Sequence, residues 1–249
     1  MRLKGEMFFE PQVQQILQPV MHLFLDKVKY PRSLHLPWSP GLQNDDRVIH
    51  QSVIDKWNAD KPEIIISEKM DGENTTMYCN AMHARSIDYE PHPSRTWAKA
   101  LHGQIAHLIP EGWRICGENL FAKHSISYHN LGSYFQVFSV WNEKNMCLSW
   151  SETEEWAQLL GLETVRVIFK GSWDETTVRN FRHYCTPSGC VEPGEQQADE
   201  VEGYVVRLAS EFSYANFSKS LAKYVRAQHV QTSEHWMRQA VVQNETVKR

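Results

Sequence analysis

Short apolar runs broken by Gly, Pro and Asn dominate this chain, and only a few segments carry a helical period. Residues Phe9–Asp26 place Val13, Ile16, Leu17, Val20 and Leu23 at that spacing and predict a helix. "YPRSLHLPWSPG", from Tyr30 to Gly41, holds three prolines and predicts an irregular or extended segment. Ile64–Ile66 is a β-branched run suited to a buried strand, and Thr75–Tyr78 is again strand-like. The plainest reading of "IIISEKMDGENTTMY" is a β-hairpin with a charged tip turning at Asp71-Gly72. A third strand is expected from Met82 to Ile87.

Further along, "TWAKALHGQIAHLI" predicts a helix over Thr96–Ile109, with Trp97, Leu101, Ile105 and Leu108 on one face. "GWRICGENLF" reads as a strand, and "SYFQVFSVWNEKNMCLSW" as a hairpin turning at "NEKN". "SETEEWAQLLGL" opens with Ser151 three residues before Glu154, a capping-box pattern, and stops at Gly161. A strand over Thr164–Gly171 and a short helix in "WDETTVRNFRHYC" follow. Thr186–Glu200 reads as a polar surface loop, "VEGYVVRL" as a strand, and about Thr232–Val247 as an amphipathic helix. Helices scattered among mostly antiparallel strands predict an α+β fold. With no repeat and no convincing linker, one domain over 1–249 is expected. Its parts are an N-terminal helix and Pro-rich segment (about 1–60), a core (61–230) and a helical tail (231–249).

Composition narrows the classes. At 249 residues, 41% hydrophobic and 22% charged, the chain is an ordinary globular one with volume for a real core. The net charge of −4 excludes a global polycation, so a polynucleotide ligand would need a local basic patch. Neither a run long enough to span a bilayer nor the apolar segment of a signal peptide is present. No membrane partner and a cytoplasmic location are therefore expected. Five cysteines at irregular positions do not form a disulfide framework. Cys185 and Cys190 flank "TPSG", but no second pair completes a zinc site.

Four charged clusters accompany the predicted strands: Glu68-Lys69-Met70-Asp71-Gly72, Gly117-Glu118, Glu202-Gly203, and Lys219 with Lys223. Any one of them reads equally as a surface ion pair worth little. Together they supply an amine nucleophile, carboxylates for a divalent metal, and cations for phosphate, a set suited to covalent catalysis at phosphorus.

In order along the chain, these clusters resemble the motifs of the covalent nucleotidyltransferases. "EKMDGEN" resembles motif I (KxDG), "HARS" motif Ia, "CGENLF" motif III, "YFQVFSVW" motif IIIa, "VEGYVVR" motif IV and "SKSLAKYVR" motif V. The whole chain is similar to the ATP-dependent RNA ligase family, and Asn74 after the lysine resembles the RNA ligase 2-like and RNA-editing ligase branch. The resemblance implies a nucleotidyltransferase (ATP-grasp-like ligase) domain without an OB-fold domain. It implies ATP and Mg2+ or Mn2+ as cofactors, and RNA with 5′-phosphate and 3′-hydroxyl ends as partner, prepared by an end-healing kinase or phosphatase. The implied activity joins those ends through lysyl-N-AMP and RNA-adenylate, in RNA repair. A DNA ligase-type or other polynucleotide adenylyltransferase, or a non-catalytic RNA-end binding protein, is the alternative.

Residue by residue, the resemblance makes Lys69 the nucleophile and sets Glu68 beside the adenine. Arg85 would contact the ribose or the incoming RNA end, Glu118 would hold the ribose hydroxyl, and Phe138 would stack on adenine or else serve as a core aromatic. Glu202 would bind the metal, Lys219 and Lys223 the α-phosphate, and Asn74 the RNA phosphate, with Arg226 a further RNA contact. The family pattern usually sets its motif V lysines two residues apart, whereas here they are four apart; in a strand that spacing would keep both on one face. Which lysine plays which part stays open. Lys123, Arg95 and Arg226 are candidates for a local basic groove. Of His35, His124, His129 and His229 none reads as a metal ligand, and His124 is the candidate substrate contact.

Overall fold

Alternation along one strand explains how the core is divided. In β2 (Glu63–Lys69), Ile64 and Ile66 join a core with Ile54, Trp57 and Trp173. Ile65, on the opposite face, packs with Met70, Leu120 and Tyr128. Each such isoleucine contributes roughly 1.5–3 kcal/mol by leaving water. A strand buried on both faces must lie inside a layered structure.

The computed structural model describes residues 27–43, 45–87, 91–183, 201–227 and 240–247. The helix expected over Phe9–Asp26, the Thr186–Glu200 loop, Cys185, Cys190 and His229 lie outside them. One sheet runs in the order β1 (Leu34–His35), β12 (Leu221–Val225), β10 (Gly203–Leu208), β2 and β9 (Val167–Ser172). The other runs β11 (Phe212–Ser213), β7 (Met146–Cys147), β6 (Phe135–Trp141), β5 (Arg114–Asn119), β3 (Glu73–Met77) and β4 (Met82–Ala84), with β8 (Glu163–Thr164) beside β6. The β1–β12 and β6–β8 pairs are parallel and the others antiparallel. The α+β expectation holds.

Helices cover the outward faces. Helix α1 (Gln51–Asp60) sets Ile54 and Trp57 on the first sheet. Helices α2 (Thr96–Ile105) and α3 (Trp150–Leu159) pack Ala98, Ile105 and Ala157 with Met77, Ile115 and Val137 of the second. The remaining helices, α4 (Glu175–Asn180) and α5 (Phe217–Ser220), are short. Among the described residues no helix is long and apolar enough to cross a membrane.

Several expectations need correction. β2 and β3 do not form a hairpin: they belong to different sheets, and Asp71-Gly72 is the crossing between them. The capping box of α3 uses Ser149 and Glu152, because the extended backbone at Ser149 starts the helix two residues earlier than Ser151 would. Leu108 is exposed because a 3-10 turn over Ala106–Leu108 carries it off the packed face of α2. The strand expected over Thr164–Gly171 is split between β8 and β9, which lie in different sheets. Helix α1 carries only Ile54 and Trp57 as buried anchors and was not expected.

The tail is not helical over residues 240–247; it is extended and clasps residues 120–134. Asn244, buried, donates its side-chain amide to the Leu120 carbonyl (2.9 Å) and accepts from the Tyr128 amide (3.0 Å). Backbone bonds from Lys123 to Val242 and from Glu245 to Tyr128 continue the contact. An amphipathic helix would forfeit these bonds to a loop whose polar backbone groups need partners.

The Pro-rich segment is ordered by a similar logic. Leu36 donates its amide to the Lys223 carbonyl (2.8 Å), and His35 is bracketed by Arg47 and Ile49 (both 2.8 Å). The His35 ring is buried, with Nδ1 2.8 Å from the Ser39 hydroxyl. Burial, and then the Lys223 cation, lower its pKa from 6.5 to about 4, against the pull of Asp46.

Two stability predictions follow from these contacts. Asn244→Ala strands a buried donor and a buried acceptor and is expected to cost about 1–3 kcal/mol in chemical denaturation. Because the unfolded chain takes up a proton near pH 6.5 while folded His35 resists until about pH 4, stability is expected to fall across that window as pH drops. His35→Asn should flatten that part of the curve of Tm against pH.

Candidate active site

Strand register assembles the site. The C-terminal end of β2 lies antiparallel to the start of β10, so Lys69 pairs with Gly203 and stands beside Glu202. Ser67 and Lys223 flank Val205 on the adjoining strands, giving one row across the face. Gly203 has no substitute: a Cβ there would come within 2.0 Å of the Tyr224 carbonyl oxygen. In the second sheet, Asn74 pairs with Glu118. Gly72, at the crossing, brings the two sheets together; a Cβ would meet the Asn119 carbonyl oxygen at 2.6 Å.

The sheets enclose a cavity of about 460 Å³, within the range of small-molecule sites. Ser67, Lys69, Val205, Leu221 and Lys223 line it from the first sheet, and Asn74, Glu118 and Phe138 from the second. Glu68 and exposed Arg85 also line it, as does His124. Phe138 is half-buried, with its ring 5.1 Å from that of Tyr30 in an edge-on contact. The Asn74 side-chain oxygen is buried at the wall with no hydrogen-bond partner among the described residues. An orphaned acceptor of this kind, beside an aromatic face and two amines, suits a polar ligand.

The Lys69 amine donates to Glu202 at 2.6 Å, and Glu202 is only 5% exposed, set behind the lysine rather than in the lining. Burial alone would lower the Lys69 pKa, but Glu202, Glu118 and Asp71 outweigh it and hold the amine above its ordinary range. These carboxylates therefore favour the charged form of the amine. Glu118 is pushed up to about 8 by burial, with Lys69 opposing and Glu202 and Asp71 reinforcing. Its Oε1 accepts from the Gly72 amide (3.2 Å).

Asp71 faces away from chemistry. Its Oδ2 accepts from the Ser125 and Ile126 amides (2.7 and 2.8 Å), and its own amide donates to the Tyr128 hydroxyl (2.8 Å). The turn is thereby fixed to the loop that brings His124 to the cavity.

Motif V divides its lysines. Lys219 lies exposed on α5, whereas Lys223 is on β12, so the chain changes from helix to strand between them and they share no face. Lys219 is absent from the cavity lining; Lys223 lines it, and burial followed by the Lys69 charge lowers its pKa. Two residues either side of Lys223 stand Leu221 and Val225. Arg226 is buried, its Nε donating to the Val201 carbonyl (2.9 Å) behind Glu202, and it does not line the cavity. Arg95 does line it, but in a buried fork with Glu73, Nε to Oε2 at 2.7 Å and Nη2 to Oε1, so it is no open basic groove. Lys123 is exposed and outside the lining.

Sequence reasoning missed Tyr30, Glu73, Asp46 and Arg207. Asp46 stands 3.5 Å from the Lys223 amine, and buried Arg207 lines the cavity while donating to the Leu148 carbonyl (2.7 Å). Asp46 lies after the Pro-rich segment, and no spacing rule points to it.

Comparison with solved structures returns two forms of an archaeal ATP-dependent RNA ligase. Form 2 matches with a TM-score of 0.52 and 16% identity over 81% of this chain and 49% of that one. Form 1 matches with a TM-score of 0.50 and 15% identity over 82% and 49%. This chain thus spans about half the length of those structures, and at such identity the likeness is one of fold. Comparison with curated protein sequences returns no match. The RNA ligase family matches residues 62–225, from the start of β2 to the end of β12, and so takes in every strand that builds this cavity except β1; the chain belongs to that family.

Proposed function

We propose that the chain is an ATP-dependent RNA ligase acting through a lysyl-N-AMP adduct on Lys69. The observation that carries this reading is a half-buried amine at the floor of a nucleotide-sized cavity, paired with Glu202 and flanked by Glu118 and Lys223. In the first step Lys69 Nζ bonds to the α-phosphorus of ATP and the bond to the pyrophosphate oxygen breaks. AMP then passes to the 5′-phosphate of an RNA end, and a 3′-hydroxyl displaces it to form the phosphodiester. The archaeal structures of like fold, named as ATP-dependent RNA ligases, support the choice of ATP and RNA.

The chain's residues divide the work. Phe138 and Glu68 bound the base subsite, Glu118 takes the ribose hydroxyl, and Lys223 meets the α-phosphate charge that grows in the transition state. Arg85, exposed in the lining, and Asn74, whose side-chain oxygen has no partner among the described residues, take the RNA end in this reading. Lys69 must lose its proton before attack, so the Glu202 pair has to be loosened when nucleotide arrives. Among the described residues no cluster of three or more potential ligands forms a metal cage. Mg2+ and Mn2+ on nucleotides need only one or two carboxylates plus phosphates, a part Glu202 would take once its pair with Lys69 opens. Bound there, the ion would neutralise phosphate charge and compete for the carboxylate that holds Lys69 protonated. Proteins that form and heal 5′-phosphate and 3′-hydroxyl ends are the partners this chemistry asks for, in the cytoplasm and in RNA repair.

Incubation with α-labelled ATP and divalent metal, followed by a denaturing gel, tests the reading. Label is expected on the wild-type protein and absent from Lys69→Ala. Lys223→Ala should slow adduct formation by roughly 10²–10³-fold, as for loss of one transition-state donor, and Lys219→Ala far less. No adduct in the wild type would sink the proposal; sealing of DNA but not RNA nicks would reassign the substrate.

A further inference from the structure

The cavity floor holds two amines, and each has its own carboxylate delivered by a different part of the chain. Lys69 has Glu202, from the neighbouring strand β10. Lys223 has Asp46, from the segment between β1 and α1, which returns alongside β1.

That segment is tied around Lys223. β1 runs parallel to β12 with His35 directly beside Lys223 in the register. Leu36 donates its amide to the Lys223 carbonyl, and Ser39 and Gly41 bond the Val225 backbone two residues on. The chain then turns through Gln43 and Asp46 and returns along His35, with His35 to Arg47 and Ile49 to His35 backbone bonds closing the loop. The closure aims Asp46 inward. Its Oδ2 accepts from the Gln43 amide at 3.1 Å and lies 3.1 Å from His35 Nε2, leaving Oδ1 3.5 Å from the Lys223 amine. The side chains of Asp46 and Lys223 are 14% and 17% exposed, so the pair is only weakly screened by water.

We propose that Asp46 is a positioning residue that holds the Lys223 amine over the α-phosphate subsite during adduct formation, an inference that rests on the nucleotidyl-transfer reading above. Lys223 has a flexible stem and stands near another cation, two conditions that would turn an untethered amine away from the phosphate. Leu221 and Val225, its neighbours on the same strand face, cannot take over its role. Asp46 supplies both the tether and the countercharge. Its carboxylate is not needed to close the loop, since the backbone bonds of His35, Arg47 and Ile49 do that on their own.

The test is single-turnover formation of the protein–nucleotide adduct with ATP and Mg2+, for wild type, Asp46→Asn and Asp46→Glu, with Tm measured on each. Asp46→Asn keeps the volume and an acceptor for Gln43 while removing the charge. It should lower the rate at saturating ATP by roughly 10–100-fold, the loss expected when a reacting group is misplaced, with little change in the ATP concentration for half-saturation. Asp46→Glu should recover most of that rate. A wild-type rate in Asp46→Asn overturns the inference while leaving the nucleotidyl-transfer reading intact. So does an equal loss in Asp46→Asn and Asp46→Glu, or a loss that tracks a lowered Tm, either of which makes Asp46 structural. Absence of any adduct in the wild type removes both.

Discussion

The pairing of Lys69 with Glu202 is the contact on which the site turns. It exists because β2 and β10 run antiparallel in one register, so that a strand end and a strand start meet at the cavity floor. A slip of β2 by one residue would turn Lys69 to the opposite face, toward the packing of Ile64, Ile66 and Trp57. Core packing therefore fixes the chemistry. The isoleucines on one face of β2 hold the lysine on the other.

The second sheet completes the site through the crossing at Asp71-Gly72. Asp71 spends its carboxylate on two loop amides, and Gly72 allows the backbone to pass against β5. A residue type that suggests acid–base or metal chemistry thus acts as a bracket. The loop it holds is in turn clasped by residues 240–247 through Asn244. Distant segments of the chain converge in this way on the geometry of one lysine.

How much of this could be read in the sequence differs from residue to residue. Strands such as "IIIS" and "VEGYVVRL" were legible because β-branched runs and alternation are local signals. The motif order singled out Lys69, Glu118 and Glu202, which the fold brings together. What escaped were features set by pairing between distant segments. The sequence alone does not say that β2 and β3 join different sheets, since an Asp-Gly turn suits a hairpin equally well. It does not say that Ser149 rather than Ser151 starts a helix, because both have a glutamate three residues on. Asp46 was invisible for the same reason: its meaning comes from β1 lying beside β12, and a two-residue strand leaves almost no pattern. Lys219 and Lys223 looked alike until a change from helix to strand separated them.

The resting pair at Lys69 has one more consequence. A protonated amine has no lone pair to offer, and this one is kept protonated by the carboxylates around it. An electrophile meets the neutral form of this amine less often than it would at an unpaired lysine. The Glu202 contact has to open before Nζ can form any bond, so the strand register that positions the amine also sets its reactivity.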